Sequence, residues 1–379
     1  MPSTSASLAD QGLEGVVATS SAICDIDGIK GVLVYRGYDI HDLAQNSTFE
    51  EVVYLLWNGE LPTKRQLAEL REQLAANIAL PAEIVRLIES FPKGSPPNPL
   101  LRTAYSALAL YDPDRDDNSI EASRRKAIRS TARMGPLVAA VQRIPNGEKA
   151  LEPDPSKSIA ENFMYLLQGK WPDEVTARVV DVGLILHADH ELNASTFAAR
   201  VTAATLSDFY SAITSALGAL FGPLHGGANS GAIKMLREIG TPDKAADWVR
   251  AALGRHERIM GFGHRVYKTY DPRARELKQM SKRLGERQGD LTLFEISEKI
   301  EQVMGQERHL YPNVDFYSAS TYTALGIPGE LFTPIFAVSR IAGWSAHVLE
   351  QYEHNRLIRP RAEYLGQHGR KYVPIEQRG

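Results

Sequence analysis

Three short stretches of the chain place a histidine or an aspartate where it could exchange a proton with a substrate. The first, residues 222–229, reads Gly-Pro-Leu-His-Gly-Gly-Ala-Asn and puts His225 among glycines directly before a predicted helix. The backbone N–H groups of Gly226 and Gly227 could face an anion there. A helix N-terminus also favours a neutral imidazole, which can donate a hydrogen bond to a developing oxyanion. A flexible surface turn is the alternative interpretation.

The second stretch is the glycine turn Gly261-Phe-Gly-His264, followed by Lys268 and by Asp271-Pro-Arg273. A histidine with several cations close behind it suits an anionic substrate, because guanidinium and ammonium groups pair with carboxylates and phosphates. A dinucleotide-binding fingerprint is excluded, since its third glycine and the strand before it are missing. A solvated basic loop is the alternative.

The third stretch, Pro312-Asn-Val-Asp315-Phe-Tyr317, sets an acid between a valine and an aromatic pair. Such surroundings predict partial burial of Asp315, and burial raises a carboxyl pKa toward that of a useful general base. The competing interpretation is that Asp315 is the N-cap of a helix.

A further segment, His187-Ala-Asp-His190-Glu191, resembles a metal site, because helical spacing would put both histidines on one face. It matches neither of the His/Glu zinc motifs that place ligands on a helix, so we expect no metal ion. The sequence also contains no Gly-x-Ser-x-Gly nucleophile elbow and no Walker phosphate loop.

Composition narrows the class of protein. The 379 residues carry a net charge of −3, with 43% apolar and 23% charged residues, which is typical of a globular protein and gives no footprint for nucleic acid. The single cysteine, Cys24, excludes an intrachain disulfide and favours a reducing compartment. No early basic segment and no long apolar run occurs, so we expect a cytoplasmic protein without a membrane span.

The elements that must position these residues are nearly all helical. The runs Ser21–Ile26 and Gly31–Tyr35 flank the turn Asp27-Gly28 and predict a small N-terminal β-hairpin. After them the apolar residues recur with a helical period. Thr48 and Glu51 form a predicted capping box at the start of one helix. The fold class predicted is therefore all-α.

Two predicted helices carry specific expectations. Ser119–Arg143 should be kinked or split by Pro136, and Ser195–Leu220 should be a single helix. The other predicted helices begin at Pro62-Thr63, Pro81 and Pro99 and span Asp173–Ala188, Asn229–Ile239, Pro242–Arg255, Arg273–Arg287, Leu293–Gln306 and Pro334–His354.

Glycine and proline clusters at Gly218–Pro223 and Gly326–Gly329 bracket a segment that contains all three candidate acid–base residues. We therefore expect a small domain, residues 222–322, inserted into a large domain made of residues 1–221 and 323–379, which the family resemblance described below implies to be dimer-forming. The clusters would be hinges between the two.

These motifs occur together, and in this order, in the citrate synthase family, which the chain resembles from about residue 14 to residue 375. The resemblance also rests on Ser339-Arg340-Ile-Ala-Gly-Trp344 and on Arg356-Leu-Ile-Arg359-Pro-Arg361. It implies a two-domain helical fold. It also implies an acyltransferase that condenses oxaloacetate with acetyl-CoA and hydrolyses citryl-CoA to citrate and CoA.

By this resemblance Asp315 would remove a proton from the acetyl-CoA methyl group. His225 would stabilise the enol or enolate, and His264 would be the acid toward the oxaloacetate carbonyl. The residues implied to bind the substrate carboxylates are His190, Asn193, Arg273, Arg340 and Arg359. The residues implied to contact CoA are Lys268, Gly226, Ala228 and Asn313.

The resemblance also implies a homodimer in which Arg359 reaches the neighbouring subunit's site, and it implies no cofactor, since the CoA thioester is a substrate. The chain starts shortly before the shared region, so we expect the short type, without the N-terminal domain of NADH-inhibited members. The alternative is a 2-methylcitrate synthase, which uses propionyl-CoA with the same residues. Oxaloacetate should bind first and close the small domain, which completes the acetyl-CoA pocket.

Overall fold

The computed structural model describes residues 12–13 and 15–378, except for the side chain of Ala228. Three strands, β1 (Cys24–Asp27), β2 (Val32–Tyr35) and β3 (Tyr38–Asp39), form an antiparallel sheet in that order. β1 and β2 pair from Cys24 with Tyr35 to Asp27 with Val32, so the predicted hairpin is confirmed. The sequence does not predict β3, because two residues carry no alternation pattern.

Within the described residues, sixteen α-helices follow, and the all-α prediction is confirmed. They are α1 (Ile40–Asn46), α2 (Phe49–Asn58), α3 (Lys64–Ala76), α4 (Ala82–Glu89), α5 (Pro97–Leu108), α6 (Ile120–Arg143), α7 (Ile159–Gln168), α8 (Glu174–His187), α9 (Ala194–Ala204), α10 (Phe209–Leu220), α11 (Ala228–Ile239), α12 (Ala245–Gly254), α13 (Pro272–Gln288), α14 (Thr292–Arg308), α15 (Val314–Ala324) and α16 (Phe332–Glu353). Short 3₁₀ helices lie at Ala109–Tyr111, Ile144–Asn146, Pro242–Lys244, Gly329–Leu331 and Ile375–Gln377. The predicted capping box of Thr48 and Glu51 is present at the start of α2.

The prediction of one helix over Ser195–Leu220 is wrong, because the chain breaks between α9 and α10. Leu206 adopts a left-handed conformation with φ of 62°, which cannot continue a helix. Asp208 then caps α10 by accepting a hydrogen bond of 3.0 Å from the backbone N–H of Ser211. Apolar residues recur without interruption across this break, so the apolar period alone does not reveal the start of α10.

Of the expected kink or split at Pro136, the split is wrong, since α6 runs unbroken from Ile120 to Arg143. Proline removes one helical hydrogen bond. However, residues 134–141 are all buried, and α7 and α16 pack along α6. Helical stability in proteins comes mainly from such packing, which here outweighs the lost bond.

Helix α16 is the centre of the fold. Nearly all its residues are buried, and it packs on α2, α6, α8, α9 and α10. Gly343 allows its closest approach to the segment after α8. An added Cβ there would lie 2.3 Å from the carbonyl oxygen of Ala188 and 2.3 Å from Oδ1 of Asp189. α16 therefore holds its own Arg340 and Trp344 against the segment that carries His190.

Helices α11 to α15 pack chiefly on one another and contact the other helices mainly through α1, α8 and α16. Two side-chain contacts join α13 to the elements before it. Nδ1 of His41 lies 2.7 Å from Oε1 of Glu276, and Arg287 binds the Asp173 carboxylate through two contacts of 2.6 and 2.7 Å. Across the described ranges, no helix is both long and apolar enough to cross a membrane.

Candidate active site

The turn that carries His225 is packed against α16, which contradicts the interpretation as a flexible surface turn. Gly226 donates its N–H to the carbonyl of Leu220 at 2.9 Å and accepts from the Thr333 hydroxyl at 2.7 Å. An added Cβ at Gly226 would lie 2.5 Å from the Leu220 oxygen, so only glycine fits this approach. The half-buried His225 ring is held in place by these contacts.

A short hydrogen-bond network fixes Nε2 of the His225 ring. Its Nε2 lies 2.8 Å from the hydroxyl oxygen of Ser195. That hydroxyl accepts from Trp344 Nε1 at 3.1 Å, and its proton can go either to Oδ1 of Asn193, 2.8 Å away, or to His225. A serine hydroxyl has one proton. When that proton points to His225, the neutral ring carries its own proton on Nδ1.

His225 is neutral at physiological pH. Burial lowers the pKa of its imidazole to about 4, and the positive charge of Arg340 acts in the same direction. A neutral imidazole that donates a hydrogen bond can stabilise a developing negative charge without first losing a proton.

The tautomer of His264 follows from its contacts. Nδ1 accepts hydrogen bonds from the backbone N–H groups of Val266 at 3.0 Å and Tyr267 at 3.1 Å. Backbone N–H groups only donate, so Nδ1 is unprotonated and the neutral ring carries its proton on Nε2. Burial, together with the charge of Arg273, lowers the pKa of His264 to about 4. The half-buried ring is therefore a neutral donor, and the interpretation as a solvated basic loop is wrong.

Asp315 lies in the first turn of α15 and is not its N-cap. The cap is Asn313, whose side chain accepts from the Asp315 N–H at 3.0 Å. Oδ1 of Asp315 is shielded from solvent and has no hydrogen-bond partner among the described residues. Burial raises the pKa of Asp315 to about 6, although the charge of Arg273 opposes the shift. The carboxylate is thus a stronger base than an exposed one.

Asp271 connects the two helices that carry Arg273 and Asp315. Its Oδ1 accepts from the N–H and Nε of Arg273, at 3.1 and 3.0 Å. Its Oδ2 accepts from Nη2 of Arg273 at 2.8 Å and from the N–H of Val314 at 3.1 Å. Burial works against the charged form, but the Asp271 carboxylate raises the pKa of Arg273 above its ordinary value. Arg273 therefore stays cationic, with Nη1 outside the ion pair.

Arg340 enters the same region from α16. Its Nε donates to the carbonyl of His187 at 2.6 Å. Its Nη1 and Nη2 are buried and find no partner in the part of the chain that the structure describes. Burial lowers the pKa of Arg340 to about 10, so the group is still charged at neutral pH. An unpaired, buried guanidinium fork matches a carboxylate.

His190 faces these groups, although not from a helix. α8 ends at His187 and Glu191 is exposed with φ of 51°, so the expected placement of both histidines on one helical face is wrong. Across residues 12–13 and 15–378, no group of three or more His, Cys, Asp or Glu side chains could hold a metal ion. The His190 ring lies 5.2 Å from that of His264, and burial, with the charge of Arg273, holds its pKa well below the ordinary value.

Four buried polar atoms without partners lie at this place, although others occur elsewhere in the described chain. Nε2 of His190, Oδ1 of Asp315 and both terminal nitrogens of Arg340 are all shielded and unpaired within the described chain. Folded proteins leave few such atoms, and each costs stability. A ligand with carboxylate groups would supply acceptors for Arg340 and His190, whereas Oδ1 of Asp315 needs a proton donor.

The other residues that the sequence predicted for the site differ in their surroundings. Asn193 supports Ser195, and the Nδ2 of Asn313 donates to the carbonyl of Gly263 at 2.9 Å, which ties the His264 turn to α15. Lys268 is exposed at the edge of the site. The side chain of Ala228 lies outside the described residues. Arg359 is exposed after α16, and no hydrogen bond or ion pair of its side chain occurs within the described ranges.

Sequence reasoning missed Ser195, Trp344 and His187 as parts of this site. His187 donates from Nδ1 to the carbonyl of Gly183 at 2.8 Å and leaves a buried, unpaired Nε2 among the described atoms. The signal available for Ser195 was its position two residues after Asn193, the cap of α9. Trp344 ends one of the motifs behind the family resemblance, but its residue type predicted no role in the site, because a tryptophan on an apolar helix is ordinarily core.

Residues 12–361 match the family model described as "Citrate synthase, C-terminal domain". The chain is 55% identical over 371 residues to citrate synthase 2 of Bacillus subtilis, which covers 98% of this chain and 99% of that protein. It is 41% identical over 373 residues to 2-methylcitrate synthase 2 of Corynebacterium glutamicum, with 97% of each chain covered.

Two solved structures are also similar. The citrate synthase of Pyrobaculum aerophilum has a TM-score of 0.91 at 45% identity, with 97% of this chain and 95% of that one covered. The citrate synthase of Thermoplasma acidophilum, in a ternary complex with carboxymethyl coenzyme A and oxaloacetate, has a TM-score of 0.91 at 38% identity. There 97% of this chain and 98% of that one are covered.

The buried carboxylate makes a prediction about stability. The pKa of Asp315 is about 6 in the folded protein and 3.8 ordinarily, so its ionisation opposes folding. This cost is absent when both states are protonated, grows as the pH rises from about 4, and is complete above about 6. Asp315→Asn should therefore raise the free energy of unfolding at pH 7.5 by at most about 3 kcal/mol, and the gain should shrink toward zero near pH 4.

Thermal unfolding of the substrate-free protein at both pH values measures this effect. Asp247→Asn is the control, because Asp247 is 90% exposed on α12 and its replacement should change little at either pH. An Asp315→Asn protein that is no more stable than the parent at pH 7.5 would contradict the raised pKa.

Proposed function

The chain belongs to the citrate synthase family, whose members are acyltransferases, and from that premise we propose how its site makes citrate. The reaction condenses oxaloacetate with acetyl-CoA and hydrolyses the citryl thioester to citrate and CoA. One observation carries the proposal: a half-buried carboxylate, Asp315, whose shielded Oδ1 has no partner among the described residues, lies in a site whose histidines are neutral and whose Arg340 guanidinium is likewise unpaired there.

Asp315 is the proposed base that takes a proton from the acetyl-CoA methyl group. A methyl beside a thioester is a very weak acid, and even a carboxylate of raised pKa cannot remove its proton alone. The base needs a donor aimed at the thioester oxygen, in a site without bulk water. His225 is that donor in the proposed arrangement in which Ser195 turns its proton from Asn193 to Nε2, which leaves the ring proton on Nδ1.

His264 is the proposed acid toward the oxaloacetate carbonyl. Its contacts to Val266 and Tyr267 leave Nε2–H as the donor, and this proton can pass to the carbonyl oxygen as the new C–C bond forms. The ring is neutral beforehand because burial and the charge of Arg273 disfavour its protonated form. A neutral imidazole is a weak acid, so it protonates the carbonyl oxygen only when C–C bond formation puts negative charge there.

The substrate carboxylates pair with the cations of the site. Each carboxylate accepts two parallel hydrogen bonds from a guanidinium fork. Arg340 offers Nη1 and Nη2, and Arg273 offers Nη1. His190 adds a donor from the other side, and Asn193, whose Nδ2 bonds the His190 carbonyl at 3.2 Å, supports it. Together these groups can bind the two carboxylates of oxaloacetate and the third carboxylate that citrate gains.

The CoA thioester would lie along the edge of the site that carries Lys268, Gly226, Ala228 and Asn313. Lys268 is exposed, and its ammonium group can pair with a CoA phosphate. The chemistry needs no cofactor, because the thioester is itself a substrate. We place the reaction in the cytoplasm, in keeping with the single free thiol, Cys24.

The first test is thiol release. The protein should release CoA from acetyl-CoA only when oxaloacetate is present. One methylene in an apolar pocket is worth about 1–3 kcal/mol, so propionyl-CoA should react about 10–200-fold less efficiently. The higher identity to citrate synthases than to a 2-methylcitrate synthase supports this order. Faster reaction with propionyl-CoA would favour the 2-methylcitrate alternative.

Asp315→Ala should lower thiol release by about 10²–10⁴-fold, because the base is lost. Oxaloacetate binding, measured by calorimetry, should be nearly unchanged. Asp247→Ala removes an exposed carboxylate from α12 and should leave both quantities as in the parent. If Asp315→Ala kept most of the activity, Asp315 would not be the base.

A second copy of the chain is proposed to complete the site. From Asn355 to Arg378 every residue except Ile358 is exposed, and this segment includes Leu365 and Tyr372, which are 88% and 82% exposed. Such apolar exposure favours coverage by another chain. Arg359 lies in this segment, and we propose that it reaches the carboxylates in the neighbouring subunit of a homodimer.

Mixed dimers test this proposal. Arg359→Ala and Asp315→Asn should each be inactive alone. Co-expression should restore about a quarter of the parental activity, because half of randomly formed dimers are mixed and each then holds one intact site. No restoration, with dimers verified by two affinity tags, would mean that Arg359 serves its own subunit or that no such site exists.

Residues 222–322 are proposed to form a small domain that closes on oxaloacetate, with the large domain made of 1–221 and 323–379. The mutual packing of α11 to α15 supports this division, and so does the left-handed Gly326, with φ of 74°, at one junction. A non-reactive CoA thioether should bind at least about 5-fold tighter with oxaloacetate present. Equal affinity with and without oxaloacetate, in equilibrium titrations, would contradict ordered closure.

A further inference from the structure

The hydroxyl of Tyr267 is a buried polar group that the mechanism above does not use. The residue is 3% exposed, and its hydroxyl has no hydrogen-bond partner within the described residues. Folded proteins rarely leave a buried hydroxyl unpaired, because its hydrogen bonds to water are lost and not replaced. A bound molecule that accepts a hydrogen bond would remove this cost.

Tyr267 belongs to the site by position. Its ring centroid lies 4.8 Å from that of His264 and 5.6 Å from that of His190. Its backbone N–H also donates to Nδ1 of His264 at 3.1 Å. The side chain therefore packs on both histidines that are proposed to meet oxaloacetate.

The charged neighbours of the hydroxyl supply no acceptor. Burial raises the pKa of Tyr267 well above its ordinary value, with Arg273 and Asp271 as the next largest influences, so the group is a neutral donor. Arg273 only donates. Both oxygens of Asp271 are already bound by Arg273 and by the N–H of Val314. Arg273 and Asp271 both act electrostatically on the Tyr267 hydroxyl, and neither provides it with an acceptor.

We propose that the Tyr267 hydroxyl donates a hydrogen bond to the oxaloacetate carboxylate that Arg273 binds, which makes Tyr267 a further substrate-binding residue. The inference rests on the proposed function, because it names oxaloacetate as the ligand. A carboxylate has two oxygens and can satisfy both donors at once. The contact would also hold the bound keto acid beside His264, whose ring Tyr267 supports.

Tyr267→Phe removes only the hydroxyl and tests the proposal. The dissociation constant for oxaloacetate, measured by calorimetry without a CoA ester, should rise at least about 10-fold, because a hydrogen bond to a charged acceptor is lost. The substrate-free variant should unfold at the same or a higher temperature than the parent, since the removed group had no partner. The turnover number should change less than the KM for oxaloacetate.

Tyr105→Phe is the matched control. Tyr105 is fully buried in α5, and its hydroxyl lies 2.8 Å from Oγ of Ser130. Removing it breaks an existing hydrogen bond, so the melting temperature should fall while oxaloacetate affinity stays at the parental value. Tyr267→Phe should therefore weaken oxaloacetate binding without a loss of stability. Tyr105→Phe should lower stability without a change in oxaloacetate binding.

The outcomes are distinguishable. Parental oxaloacetate affinity in Tyr267→Phe would overturn the inference and would mean that an internal water satisfies the hydroxyl. Weaker affinity together with a lower melting temperature of the substrate-free variant would also overturn it, because the residue would then be structural. If the parent itself neither bound oxaloacetate nor released thiol, the proposed function would fail first.

Discussion

The relative position of the active-site residues depends on the carboxylate of Asp271. This residue is 1% exposed, and each of its carboxylate oxygens accepts two hydrogen bonds, from Arg273 and, in one case, from the backbone of Val314. A buried ion pair is stable only when such bonds satisfy it fully. This one ties the first turn of α13 to the first turn of α15. Arg273 and Asp315, which lie on different helices, therefore keep a constant relative position.

Exclusion of solvent from this region shifts the pKa values of His225, His264 and Asp315 in the direction that the chemistry needs. Burial beside Arg273 and Arg340 makes His225 and His264 neutral donors, and the same burial makes Asp315 a stronger base. A single cause thus has opposite effects on imidazole and carboxyl groups, because it disfavours whichever form is charged. The site retains unpaired polar atoms at a cost in stability, and a dicarboxylate substrate offsets that cost when it binds.

Much of the fold was predictable because helical period is a local property. The helices with clear apolar stripes lie close to where the sequence places them, and the hairpin follows from its turn residues. The errors arose where long-range packing or a hidden cap decided the outcome. Pro136 stays inside α6 because its neighbours are buried, and α9 ends before α10 because Leu206 and Asp208 form a break that the apolar pattern does not show.

For the site, the sequence by itself determined which residue types are available: histidines among glycines, an acid among apolar residues, and arginines for an anion. It also determined the family, since the motifs and their order are read directly. Only the tertiary structure decided that Asp315 is not a helix cap, that His264 carries its proton on Nε2, and that Ser195, Trp344 and Tyr267 belong to the site. Burial, tautomer and unpaired atoms depend on groups distant in the chain, and no local pattern encodes them.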